Sequence, residues 1–260
     1  MKKIAVAIFF FVFLNTTIFA QQTFRFGLQA SPTITWMTSS DKGINGNGTN
    51  VGLKLGILGE KYFAENYALV FGINFAFNQG GTLKYDVGGN LWPNSQLSTD
   101  RYQDESLGAI PDGANLKYSL QYVEIPFGLR LRTQEFGYFR YFVEIPVFTV
   151  GFNTQAEGAI TGTDMDTEKE KISADINTFA FSWGLGGGVE YSIGTQTSLV
   201  AGIFYQSYIT DVTKDDGWLY TERDPPGNGP PTDPLDPTVK VAEDSKTLIK
   251  GLTLRIGVMF

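Results

Sequence analysis

Apolar and polar positions alternate along much of the chain with a period of two. In 67–77 the odd positions are Tyr67, Leu69, Phe71, Ile73, Phe75 and Phe77, and Ala68, Val70, Gly72, Asn74 and Ala76 lie between them. In 179–191 Phe179, Phe181, Trp183, Leu185, Val189 and Tyr191 alternate with Ala180, Ser182, Gly184, Gly186, Gly188 and Glu190. In 248–260 Leu248, Leu252, Leu254, Ile256, Val258 and Phe260 share the even positions with Lys250. Successive side chains of a strand point to opposite faces, so this period predicts strands with one bulky apolar face and one small or polar face. Eight such runs are predicted, at about 23–37, 50–58, 67–79, 117–132, 138–153, 176–192, 196–211 and 247–260. No stretch carries a competing helical period.

The connections sharpen the picture. The intervals 38–49, 80–116, 154–175 and 212–246 are long, and 59–66, 133–137 and 193–195 are short. Strict alternation of long and short connections is the pattern of a transmembrane barrel with long outer loops and tight periplasmic turns. A soluble eight-stranded barrel is the rival. Its interior is filled by side chains or holds one small ligand, and the aromatic face is too bulky for that space. The bulky face must then point outward, which only lipid makes favourable. The expected fold class is all-β: an eight-stranded antiparallel up-and-down transmembrane β-barrel with long extracellular loops and short periplasmic turns. An even strand number places both termini on the periplasmic side.

The first twenty residues fit an export address. Lys2 and Lys3 precede an unbroken apolar run from Ile4 to Leu14, and Ala20 offers a small residue at a cut before Gln21. The run is short of the roughly 20 residues a spanning helix needs, so 1–20 reads as a cleaved signal peptide and 21–260 as the barrel domain. Removal of the two lysines takes the net charge from -7 to -9.

Composition mainly excludes. The 260 residues include no cysteine and no histidine. A thiolate metal site, a disulfide scaffold, a Cys nucleophile and a Ser-His-Asp triad are therefore ruled out. A Ser-Lys or carboxylate-only site stays formally open. An acidic chain without a basic block is a poor nucleic-acid binder. No catalytic residue, cofactor or metal is expected. Gly184 to Gly188 looks like a nucleotide-binding glycine loop but sits inside an alternating strand. Asp164 to Glu168 lacks the geometry of a calcium loop. The three longest loops hold 19 acids against 8 bases, and Asp224 to Pro237 holds six prolines. A solvated acidic outer surface with an extended proline segment is expected.

The inward face collects nearly every strand charge: Arg25, Lys54, Arg130, Arg132, Arg140 and Arg255 against Glu124, Glu144 and Glu190. Charges at membrane depth are costly unless paired, so a ladder of ion pairs is expected, with three surplus cations needing water, carbonyls or a loop carboxylate. Such a core reads as a proton path, a gated pore or an anion site, or as a structural plug; eight strands leave no aqueous channel, which favours the plug. Val123-Glu124-Ile125-Pro126 echoes in Val143-Glu144-Ile145-Pro146. The two prolines are expected close to opposite each other, with a bulge and a parity slip after Val147, because Pro cannot donate to the ladder.

The stretch Tyr122-Val123-Glu124-Ile125-Pro126-Phe127-Gly128-Leu129-Arg130, with the eight-strand count, resembles the PorT-like outer-membrane barrel family of Bacteroidetes-type bacteria. Val123 stands where that family commonly has Leu. The ending Ile256-Gly257-Val258-Met259-Phe260 looks like an outer-membrane assembly signal. The resemblance implies an integral outer-membrane location, a monomeric barrel and, for the namesake, a part in type IX protein export. The partners expected are outer-membrane lipid and lipopolysaccharide, with secretion-system or envelope proteins as further candidates. The leading functional expectation is a non-catalytic barrel with an envelope-structural or binding role through its acidic loops. An export accessory, and a narrow channel or carrier of a small apolar solute, are the alternatives.

Overall fold

The computed structural model describes residues 24–99, 102, 109–163, 166–220 and 240–260. Segment 1–20, Asp164 and Met165, and the proline segment 224–237 lie outside these residues. Eight long strands form the body: β1 (Phe24–Ser39), β2 (Ile44–Ala64), β3 (Tyr67–Tyr85), β4 (Asn115–Arg132), β5 (Phe139–Thr161), β6 (Phe179–Ser192), β7 (Ser198–Tyr208) and β8 (Thr247–Met259). Each pairs antiparallel with its sequence neighbours, and β8 pairs with β1 from Gly27↔Met259 to Ser39↔Thr247. The ring is closed, so no strand edge of the wall is left unpaired. Among the described residues no helix is long and apolar enough to cross a membrane, and a barrel crosses with strands.

The outward face is the apolar one. Phe26, Leu28, Leu55, Ile57, Phe75, Phe127, Phe181, Ile203 and Leu254 are all more than a third exposed. Their alternating partners are buried: Lys54, Asn74, Glu124, Ser182 and Arg255. The wall therefore has the inverse polarity of a soluble barrel.

β2 to β5 run beyond their expected ends, chiefly on the side away from the termini. β2 and β5 have 21 and 23 residues, whereas β6, β7 and β8 have 14, 11 and 13. A tilted strand crosses a bilayer in about 9–11 residues, so β2 to β5 rise well past the apolar belt. Three expectations change as a result. The interval 38–49 is no long loop: β1 and β2 are joined by 40–43. The interval 59–66 shrinks to 65–66, which brings Glu60 into the wall. The far loops begin later than expected, at 86 and 162; the first then ends slightly early, at 114, and the second slightly late, at 178. In these extensions the polarity of the wall reverses: Leu83, Tyr85 and Ile160 face the interior, and the outer face carries polar residues such as Lys84.

The loops at the far end fold rather than fray. Gly89–Asn90, Trp218–Tyr220 and Lys240–Ala242 make a three-stranded sheet, and Thr167–Lys171 pairs with β5. Trp92, Leu97, Tyr102 and Ile110 from the loop after β3 are buried with Met37, Leu83, Tyr118 and Ile160 of the wall. Gly158 makes room for this cap, since a Cβ there would sit 2.6 Å from the Trp92 ring. The loop acids are not uniformly solvated. Asp175 accepts from the Asn94 amide at 3.0 Å and from the Ser95 hydroxyl. Glu170 accepts from the Ser98 amide at 2.7 Å and from the Ser98 hydroxyl. Both carboxylates are buried and pin the segment 94–98 over the barrel.

Candidate functional site

The lumen holds the chemistry. β2 contributes Lys54 and Glu60, β4 contributes Glu124, Arg130 and Arg132, and Glu144, Glu190 and Arg255 come from β5, β6 and β8. Inward parity in each strand brings them to one axis. Midway, Lys54 Nζ donates to both Glu124 oxygens, at 2.9 and 2.8 Å, and to Gln206 Oε1 at 2.6 Å. The Tyr208 hydroxyl donates to Glu124 Oε1 at 3.3 Å.

Nearer the termini the charges form a single alternating chain. Arg255 Nη1 donates to Glu144 Oε1 at 2.7 Å, and Arg130 Nε donates to the same oxygen at 2.8 Å. Arg130 also donates to Glu60 Oε1. Arg132 Nη2 reaches Glu60 Oε2 at 2.5 Å and Glu190 Oε2 at 3.1 Å. Arg25 Nη1 donates to Glu190 Oε1 at 2.5 Å. The chain thus runs Arg255, Glu144, Arg130, Glu60, Arg132, Glu190, Arg25. The guanidiniums also lie over rings: Arg130 over Phe142 at 4.3 Å, Arg132 over Tyr62 at 4.7 Å and Arg255 over Phe204 at 3.7 Å.

Two inward phenylalanines, Phe142 and Phe204, contradict a lining of small residues alone. The glycines of β6 compensate. A Cβ at Gly186 would lie 2.1 Å from the Phe204 ring, so the missing side chain is the seat of that phenylalanine. Packing in the lumen, and no nucleotide, accounts for the glycine run.

Of the nine charges expected in the lumen, eight meet there. Arg140 does not join them: it is partly exposed and pairs with Glu135 of the β4–β5 turn at 2.7 Å. Glu60 is the residue sequence reasoning missed. The run 50–58 ended two residues before it, and Gly59 followed by a Glu-Lys pair reads as a turn. Continued even parity from Lys54 through Leu58 would have found it. With Glu60 in and Arg140 out, the lumen has one cation in excess rather than three. The prolines are also displaced from the expected pairing. Pro126 lies opposite Thr149, and Pro146 falls in an irregular stretch between Glu144 and Val147. Parity slips there, with Glu144 and Thr149 both inward.

A cavity of ≈ 700 Å³ opens at the end that holds the termini, lined by Arg25, Tyr62, Arg132, Arg140, Glu190 and the 194–198 turn among others. A chamber of ≈ 50 Å³ lies midway, between Lys54–Glu124 and Arg255. Beyond it Tyr122 and Tyr208 pack at 5.9 Å, and Trp92 meets Tyr118 edge-on at 5.6 Å. Among the described residues no three acids converge as metal ligands.

A closed eight-stranded wall, apolar outside and ionic inside, defines an integral barrel of the outer membrane. The family model described as outer membrane protein beta-barrel domain matches residues 19–210, and the chain belongs to that family. The end with both termini is the periplasmic one, and the cap is extracellular. Similar solved structures include neisserial surface protein A, at 12% identity over 90% of this chain and 95% of that one, with a TM-score of 0.38. Ail of Yersinia pestis is similar at 9% identity over 91% and 98%, with a TM-score of 0.37. The outer membrane protease OmpT of Escherichia coli is similar at 8% over 95% and 99%, with a TM-score of 0.39. No curated protein matches the chain.

Proposed function

We propose that this protein is a non-catalytic, non-conducting outer-membrane barrel that binds a partner through its folded extracellular cap. The observation that carries the reading is the double closure of the lumen. An ion-pair chain fills the periplasmic half, and an apolar core including Trp92, Tyr118 and Tyr122 fills the extracellular half. The midway chamber of ≈ 50 Å³ is too small for an apolar solute in transit. Catalysis has little to work with. The Ser198 hydroxyl donates to Glu190 at 2.5 Å, but that carboxylate is already engaged by Arg25 and Arg132. In this reading 1–20 is removed on export and the barrel stands as a monomer in lipid and lipopolysaccharide. Purified protein in planar bilayers is expected to give no stepwise current; discrete openings at moderate voltage would sink the proposal.

A second reading, an accessory role in type IX-like export, is favoured by the ≈ 700 Å³ periplasmic vestibule and by the PorT-like resemblance. Its test is a photo-crosslinking residue at Thr195, on the vestibule rim. Crosslinks to secretion components in cells support it, and a bare monomer band removes it.

A further inference from the structure

The alternating chain of the lower lumen begins and ends on arginine. Four guanidiniums share three carboxylates: Glu144 lies between Arg255 and Arg130, Glu60 between Arg130 and Arg132, and Glu190 between Arg132 and Arg25, which also comes within 3.8 Å of Glu60. Lys54 and Glu124 balance each other above it. The excess positive charge therefore belongs to the two ends of the chain. One end is Arg25, whose side chain is 15% exposed and borders the open vestibule, where water compensates it. The other end is Arg255, which is buried and has half a carboxylate to itself, because Glu144 also serves Arg130. A buried charge without full compensation is costly enough that the fold must supply a partner.

Arg255 borders the midway chamber, together with Lys54, Ser31, Gln29, Asn74 and Thr149. The chamber's polar walls are unfinished. Ser31 is 1% exposed, and its Oγ has no hydrogen-bond partner among the described residues; neither has the Oε1 of buried Gln29. Gln29 Nε2 donates to Asn74 Oδ1. Reversing both amides keeps that bond, with Asn74 as donor, and frees the Gln29 N–H₂ as a donor. Lys54 directs its three N–H groups to Glu124 and Gln206 and is neutralised there, so the chamber is left with the guanidinium of Arg255, a free hydroxyl and an amide that can present N–H, and donors are the majority. One water-sized group needs about 10–15 Å³ by the same measure, so ≈ 50 Å³ admits a small ion with a water beside it.

We propose that this chamber is a binding site for one small monovalent anion of the halide class, held by Arg255 beside the neutralised Lys54–Glu124 pair and hydrogen-bonded by Ser31. The anion completes the alternating chain at its buried end. Water alone would satisfy Ser31 and Gln29 but would leave the charge of Arg255 shared.

The test is a crystal of the refolded protein grown or soaked in sodium bromide, with diffraction at the bromine edge. An anomalous peak in the chamber, within contact distance of Arg255 and Ser31, is the expected result. A chamber with ordinary water density and no anomalous signal overturns the proposal. Ser31→Ala keeps the charges and the wall, and is expected to lower bromide occupancy at least several-fold at limiting concentration. Unchanged occupancy would show that the site is not the one described.

Discussion

Glu60 accepts from Arg130 and Arg132 and from the Tyr62 hydroxyl, the last at 2.6 Å. It is fully buried, so removing its charge strands two guanidiniums in a low-dielectric lumen. Glu60→Gln is expected to cost about 3–5 kcal/mol, the range for breaking a buried pair by removing one partner, read from the urea midpoint of the refolded barrel. Glu135→Gln breaks the partly exposed pair with Arg140 and is expected to cost about 1 kcal/mol or less, because solvent screens it. Equal losses in the two variants would refute the division between lumen and turn. At this scale the sequence was legible wherever parity was unbroken. Lys54, Glu124, Arg130, Arg132, Glu190 and Arg255 follow from alternation alone. Arg140 fails because Phe139 begins the strand, and a terminal side chain can turn to the rim of the vestibule, where Glu135 is the nearer carboxylate.

Among the elements, the tall wall of β2 to β5 and the cap that leans on it were the least legible. The cap's carboxylates act on it in opposite senses. Asp175 and Glu170 tie the segment 94–98 down, whereas Glu243 and Asp215 sit among Asp211, Asp216 and Asp244. Burial raises the Glu243 pKa first, with the charges of Asp215 and Asp211 adding to it and the Ser245 hydrogen bonds opposing. Partial burial and the charges of Asp211, Asp244 and Asp216 raise that of Asp215. A raised carboxyl pKa means that the folded state binds the proton more tightly than the unfolded one. Stability is then greatest below the ordinary carboxylate range and falls as pH rises through the folded values. Cleavage of the cap by an added protease, normalised to an unfolded substrate, is expected to be faster at pH 8 than at pH 5. A cap that is equally or more resistant at pH 8 contradicts this. The sequence showed these loops as acidic and no more. Whether a carboxylate is solvated or buried under a hydroxyl depends on which loop lands on it.

For the whole molecule, two closures lie in series, an apolar one outside and an ionic one inside. Deleting 91–98 removes Trp92 and Leu97 from the outer closure but leaves the chain from Arg255 to Arg25 in place. The deletion variant is expected to stay non-conducting in planar bilayers, and stepwise currents in it would show that the cap alone seals the barrel. The alternation of bulky and small residues by itself determined the strand count, the up-and-down order, the outward apolar face and the membrane setting. Those properties are local, since each follows from a two-residue period and a lipid solvent. The tertiary structure decided the charge balance of the lumen, the place of Glu60, the offset of Pro126 from Pro146, the folded cap and the chamber beside Arg255. Each of these depends on register between strands distant in sequence, and a period of two fixes which face a residue occupies but not which residue stands across from it.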